Sequence, residues 1–358
     1  MNIDKQSPDT VTERDPHTVE LHLEILNDYL NSDLNEVCIN EPGTLFTYGA
    51  GKWTEIPMPE ITYEWCKELA KLIANYSGQS PDDALSAHMP GGHRIEIALP
   101  PVALYPSITI RIPKRGEPLT LEQIHAFGSF EKTRWLMQTR GITPEERAEL
   151  QDELTDEDIE LLELFHAKDA FNFLVKAVEY RRNIFLSGRT GSGKTALLNA
   201  LGAKIPLDER PITCEDTRES RLPHRNQVNL IYLKDPSAPE KYRAKGVLAS
   251  TLRQFPSRVL LAEIRGDEAY FFFSNVANSG QPGSLATLHA SSAKMAIRRM
   301  SNLIQASPEG SRLPLDVIIR DLYALVDVVI QTDIDKVTGK PYVREIYFDP
   351  AYALRAAW

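Results

Sequence analysis

Three cysteines among 358 residues, Cys38, Cys66 and Cys214, are too few, too scattered and odd in number for a disulfide framework or a paired-cysteine metal site. A reducing cytoplasm is the compartment that fits. No apolar run approaches the roughly 20 residues that span a bilayer, and the polar start Met1-Asn-Ile-Asp-Lys-Gln-Ser-Pro-Asp9 has no signal-peptide core. Membrane contact is therefore expected to be peripheral. Positive charge is also short: 40 Lys and Arg stand against 50 Asp and Glu, a formal net charge of -10. That balance excludes a protein whose main work is coating a nucleic-acid backbone, and no aromatic and basic strand-binding segment contradicts it. Repeats of solenoid type are missing as well.

What the chain does have is the run Gly188-Arg189-Thr190-Gly191-Ser192-Gly193-Lys194-Thr195, which meets the phosphate-binding P-loop pattern G-x-x-x-x-G-K-[ST] at every required position. Its flanks supply the context that the chemistry needs. Asn183-Ile-Phe-Leu-Ser187 reads as a short buried strand and Ala196-Leu-Leu-Asn-Ala-Leu201 as a helix. The glycines let the backbone turn tightly, so that successive N–H groups and the positive end of the helix surround phosphate. Lys194 then reaches the β and γ oxygens of a nucleoside triphosphate and Thr195 its Mg²⁺.

Composition divides the chain. Residues 1–17 are polar and read as disordered; 18–125 read as a small α+β domain, with a helix over Thr18 to Leu30, a strand meander through Val37, Phe46 and Trp53, a helix from Ile61 to Tyr76, and strands around Ile95 and Ile110. Over 126–165 the chain turns acidic: from Glu145 to Glu163 ten carboxylates face one cation, Arg147, which reads as a solvated linker with one or two short helices. From His166 to Trp358 strands and helices alternate, predicting an α/β sheet covered on both faces, with the catalytic domain here.

Hydrolysis needs acids beside the phosphates. The strand Arg258-Val-Leu-Leu-Ala-Glu-Ile264 ends in Glu263, the place of an acid acting on the Mg²⁺ shell or the lytic water. Ile212-Thr-Cys-Glu-Asp-Thr-Arg-Glu219 brings Glu215 and Asp216 to another strand end, and Glu215 is the candidate general base. Ser279-Gly-Gln-Pro-Gly-Ser-Leu-Ala-Thr-Leu-His-Ala290 puts Thr287 and His289 at a third, where His289 is placed to sense or stabilise a γ-phosphate. The basic cluster Arg218, Arg221, His224 and Arg225 would attract anionic lipid heads if it faces outward, or serve phosphate or an interface otherwise.

These four segments, in this order, resemble the secretion traffic ATPases, most closely the VirB-eleven type of type IV secretion systems. Gly188 to Thr195 matches the Walker A box, Ile212 to Glu219 the Asp box, Leu252 to Ala269 the Walker B region and Ser279 to Ala290 the His box. The stretches Asn35 to Gly43 and Leu85 to Ile97, with Pro100-Pro101 and Ile110 to Ile112, are similar to that family's N-terminal domain. One departure is Gln281, where the family's His box commonly carries a first histidine.

The resemblance implies a RecA-like C-terminal domain and a homohexameric ATPase ring, with ATP preferred over GTP. It implies peripheral association with inner-membrane components of a type IV secretion system, and the export of protein or nucleoprotein or the assembly of a pilus. Arg94 and Arg111 fall in the family's arginine-bearing N-terminal motifs and are expected to contact phosphate. Arg253 and Arg258 are open to the same role or to holding the Asp box. A type II secretion or type IV pilus motor shares the boxes, but the four-cysteine zinc module of many type II motors is missing. A nucleotide-gated docking protein with little turnover is the reading from another class.

Overall fold

The computed structural model describes residues 16–49, 51–79, 83–113, 116–139, 141–234, 238–278 and 282–357. The expectation of disorder over 1–15, and the position Gln281, lie outside the described residues, whereas His17 already opens a helix, His17–His22. The chain divides into two compact units, Met1–Gly116 and Glu117–Trp358.

The first unit is an antiparallel sheet of six strands with a helix against it. In chain order these are β1 (Glu36–Ile39), β2 (Thr44–Gly49), β3 (Lys52–Pro57), β4 (Ala84–His88), β5 (Arg94–Ala98) and β6 (Ser107–Arg111). Their order across the sheet is β3-β2-β1-β6-β5-β4, so two three-stranded meanders join through β1 and β6. Inward residues alternate, Ile95 and Ile97 on β5 and Ile108 and Ile110 on β6, all nearly or fully buried. The helix Tyr63–Ser77 starts at Thr62, whose side chain accepts from the Trp65 N–H, and stops at Gly78 in left-handed conformation. Its stripe of Cys66, Leu69, Ile73 and Ala74 joins the strand isoleucines in one core.

The second unit carries the expected α/β sheet. Its strands are β7 (Arg134–Leu136), β8 (Ile184–Gly188), β9 (Pro211–Glu215), β10 (Val228–Ile231), β11 (Arg258–Leu261), β12 (Leu285–Leu288), β13 (Val328–Ile334) and β14 (Pro341–Phe348), in the order β10-β9-β11-β12-β8-β13-β14-β7. From β10 to β13 the pairing is parallel throughout. Central strands read as continuous apolar runs because both faces are covered. Alternate residues then feed two cores, Phe185, Val259, Leu261 and Val329 one of them, and Ile184, Leu186, Leu260 and Ile330 the other.

The acidic stretch forms the short helices expected of it, but they are built into the second unit and do not stand as a solvated linker. It folds as helices Pro144–Gln151 and Asp156–Ala167, each begun by a capping box, Thr143 with Glu146 and Thr155 with Asp158. The carboxylates Asp156, Glu157 and Glu163 face solvent, while Leu161, Leu162 and Phe165 are buried in the same core as Phe173 and Phe348. Ahead of it, β7 pairs with β14 at the edge of the large sheet. Burial of that apolar stripe, together with the two hydrogen bonds from Arg147 to Asp349 at 2.7 and 2.8 Å, makes residues 117–167 part of the second unit.

Candidate nucleotide site

The site is assembled at the carboxyl edge of the parallel strands, where open α/β sheets bind ligands. Strand β8 ends in Gly188 and runs into the P-loop, and the helix Lys194–Gly202 starts straight after it. A side chain at Gly188 would meet Thr332 Oγ1 at 2.3 Å and Ser192 Oγ at 2.5 Å, so only glycine lets the loop rest on β13. Gly191 and Gly193 have φ of 78° and 89°, the left-handed turns that keep the loop tight. Ser192 Oγ lies 2.7 Å from both the Arg189 carbonyl and Thr332 Oγ1, which fixes the loop to the neighbouring strand. Arg189 and Thr190 are exposed at its tip and Thr195 is half-buried in the first helical turn.

Lys194 is buried and donates to the carbonyls of Gly188 and Arg189 at 2.8 and 3.1 Å. His289, one residue past β12, places Nδ1 2.9 Å from the Gly188 carbonyl and 3.3 Å from Lys194 Nζ. Its other nitrogen, Nε2, lies 3.2 Å from Glu263 Oε1. One imidazole thus spans from the phosphate loop to the acid that follows β11. Glu263 also pairs with Arg265, and that ion pair holds the Arg265 guanidinium more firmly protonated than an isolated one.

Glu215 closes β9 and is fully buried. Burial pushes its carboxyl pKa up, against the pull of the Glu219 and Ser220 N–H groups, each 2.9 Å from Oε2. Those two bonds fold the following loop back on the acid. Asn199 on the P-loop helix grips the same loop, donating to the Glu219 carbonyl at 3.0 Å and accepting from the Arg221 N–H at 2.8 Å. Asp216 is ion-paired with Lys234. In the basic cluster Arg218, Arg221 and Arg225 are exposed, whereas His224 is buried, with Nε2 against the carbonyls of Ile205 and Pro206.

In the first unit Arg94 and Arg111 are directly opposed on β5 and β6, with Glu36 next across from Arg111. Like charges facing each other across strands are unfavourable without a counter-charge, and Glu36 on β1 supplies one across from Arg111. Arg258 has a different place from the one left open for it: it begins β11, at the opposite sheet edge from Glu263, fully buried in a forked pair with Glu209 at 2.8 Å through both nitrogens. Arg253, exposed, precedes the same amino end. An arginine so enclosed has no path to phosphate.

Sequence reasoning passed over several residues that complete the site. Glu268 is buried and accepts from the Gly266 N–H at 2.9 Å and from that of Arg265, shaping the turn after Glu263. Thr332, Gln331 and Arg344 come from β13 and β14, and no local pattern marks them. Together with Gly188, Arg189 and His289, Gln331, Asp333 and Arg344 line a cleft of about 340 Å³.

Comparisons with known proteins bear on the family and the fold. The type II/IV secretion system protein family model matches residues 150–339. The type IV secretion system protein VirB11 of Bartonella henselae is 36% identical over 351 residues, 96% of this chain and 97% of that one. VirB11 of Brucella suis biovar 1 is likewise 36% identical, over 96% of this chain and 93% of its own. Among solved structures, the VirB11 ATPase of the Brucella suis type IV secretion system superposes with a TM-score of 0.53 at 37% identity, covering 95% of this chain and all of that one. The pilus retraction motor PilT, 15% identical with a TM-score of 0.56 over 91% of this chain and 82% of its own, shares the fold. An intact P-loop, an acid at the end of each of two neighbouring strands and a bridging histidine, in a chain more than a third identical to these relatives along nearly its whole length, make it a member of the type II/IV secretion system protein family, among the VirB11 ATPases of type IV secretion.

Proposed function

We propose that this ATPase is an Mg²⁺-dependent motor that works as a homohexameric ring at the cytoplasmic side of the inner membrane, driving export of protein or nucleoprotein, or pilus assembly, by a type IV secretion system. The observation that carries the reading is the meeting of P-loop, Glu215, Glu263 and His289 along one sheet edge. The Brucella suis VirB11 structure was solved with sulphate, an anion of phosphate's shape, which supports a phosphate site in this fold. Peripheral attachment fits a chain in which no helix among the described residues is long and apolar enough to cross a membrane.

Each residue has a distinct task in this reading. The P-loop N–H groups of Arg189 to Thr195 cradle the β and γ oxygens and Lys194 neutralises their charge, exchanging its two carbonyl partners for phosphate. Mg²⁺ suits Thr195 and Glu263, hard oxygen donors at that edge; no cage of three or more metal-binding side chains exists among the described residues, and Mg²⁺ commonly takes one or two protein ligands beside substrate phosphates. When bound, it would draw off charge from the triphosphate. Glu215 orients water and accepts its proton as the water oxygen bonds to the γ-phosphorus and the bond to ADP breaks. Burial raises the proton affinity of Glu215, which favours that transfer. His289 reports the γ-phosphate from the P-loop to Glu263, while a phosphate-contacting role for Arg94 and Arg111 rests on the family resemblance alone.

The test is steady-state ATP hydrolysis by the wild type, Lys194→Ala and Glu215→Gln, with oligomeric mass measured in the same buffer. Turnover by a particle of about six subunits, lost in both variants while they still assemble, is expected from the role of such groups in phosphoryl transfer. Assembly without Lys194-dependent turnover would replace the motor by a nucleotide-gated docking protein.

A further inference from the structure

The four residues after His289, Ala290 to Ala293, are held from one side by three consecutive contacts. Gln331 Nε2 donates to the Ala290 carbonyl at 3.1 Å, the Arg344 guanidinium donates to the Ser291 carbonyl, and Glu345 Oε2 accepts from the Ala293 N–H at 2.8 Å. All three side chains come from the β13–β14 hairpin. Its register breaks at this point: Gln331 faces Glu345 and Thr332 faces Val343, so Arg344 is the extra residue of a β-bulge. Bulges re-aim side chains and gather beside active sites. Here the bulge turns Arg344 toward Asp333, 3.0 Å from its guanidinium, and into the cleft of Gly188 and His289.

The arrangement is not optimised for stability. Arg344 Nε and Gln331 Oε1 are both buried without a hydrogen-bond partner among the described residues. Orphaned groups of this kind are rare in native proteins and concentrate where function holds the geometry. We infer that Arg344, with Gln331, is a positioning residue of the ATPase reaction, which fixes the turn after His289 so that the imidazole stays in register between the Gly188 carbonyl and Glu263. The inference rests on the proposed role of His289. Arg344 acts on the polypeptide and not on the nucleotide: two of its prongs are already committed to Ser291 and Asp333. A ring displaced by about an ångström would still permit ATP to bind but would break the span to Glu263, and misplacement on that scale lowers rates on the order of a hundredfold.

ATP hydrolysis by Arg344→Ala, His289→Ala and the double variant separates this role from its rivals. Arg344→Ala should lower kcat about tenfold to a hundredfold while KM for ATP stays within about threefold, and adding it to His289→Ala should lower kcat no further than about twofold. Should Arg344→Ala fail to fold, Arg344→Lys keeps the charge, loses the two-pronged grip and should give the same split. Losses that multiply in the double variant, or a raised KM with intact kcat, overturn the inference. So does a fully active Arg344→Ala beside an inactive His289→Ala, which leaves the reading of His289 standing. A fully active His289→Ala overturns both.

Discussion

Arg258 and Glu263 stand at the two ends of one short strand and have opposite lives. At the carboxyl end, Glu263 is partly exposed and shared between His289 and Arg265. At the amino end, Arg258 is enclosed completely, with Glu209 on two nitrogens and the Val178 carbonyl on the third. The rest of that edge is similar: Arg182 pairs with Asp158 at 3.0 Å, and Asp327 accepts the Asn183 N–H at 2.7 Å. On this strand the carboxyl end leaves its charge partly open and the amino end closes it off, whereas Glu215, at the carboxyl end of β9, is fully buried. Residue type does not decide which is which; the direction of the strand does, because loops at the carboxyl ends converge where helix N-termini add positive potential.

The contrast can be broken most forcefully at its closed end. Arg258→Ala leaves Glu209 without its main counter-charge, and loss of one partner of a buried pair costs about 3–5 kcal/mol. Urea unfolding should show that loss, while kcat of the folded variant stays within about twofold of wild type. A folded, stable variant with lost turnover would place Arg258 in the site after all. At the open end Glu263→Gln should do the reverse: kcat falls roughly 10²–10³-fold, as when one preorganised electrostatic group is removed, and stability changes by less than about 1 kcal/mol. Strong destabilisation there would erase the distinction between the edges.

Asp327 sharpens the comparison with pH. Desolvation raises its pKa from 3.8 to about 6, outweighing the Asn183 N–H bond. Because the folded pKa lies above the unfolded one, the native state holds the extra proton. Its stabilising contribution is full below about pH 4 and is lost as pH rises through about 6. Asp327→Asn should therefore be more stable than wild type at pH 8 by up to about 3 kcal/mol, with the gap closing below pH 4. A gap that does not vary with pH would show that the carboxyl is ionised at no cost.

Much of the second unit was legible because its signals are local. The P-loop pattern carries its own strand and helix, and the apolar runs ending in Glu215, Glu263 and His289 each predict a strand with an acid or imidazole at its tip. The strands of the first unit were readable from alternation, except β4, whose Ala84, Ser86 and His88 are all exposed and leave only Leu85 and Ala87 as a pattern. The acidic helices were expected from their apolar spacing, but the charge count hid that they pack into the second unit, although their capping boxes, Thr143 to Glu146 and Thr155 to Asp158, were present to be read. Strand β7 and the Arg344 bulge were not legible. The first is defined only by pairing with β14, and the second only by a register that two strands settle between them. The helix Glu268–Phe271 widens into a π-helical stretch at Phe272–Ala277, which packing of Phe272 and Phe273 on Phe185 accompanies and no residue in the sequence announces.

The contact between Ser192 and Thr332 joins residues 140 positions apart. A ribosome adding about 5–20 residues per second releases the P-loop on the order of ten seconds before the strand on which it rests. During that interval the nascent chain displays a complete phosphate-binding motif with no floor beneath Gly188 and nothing to hold the turn after His289. A chain stalled before Thr332 therefore carries every motif by which the family is recognised, but lacks the strand on which Gly188 and Ser192 rest.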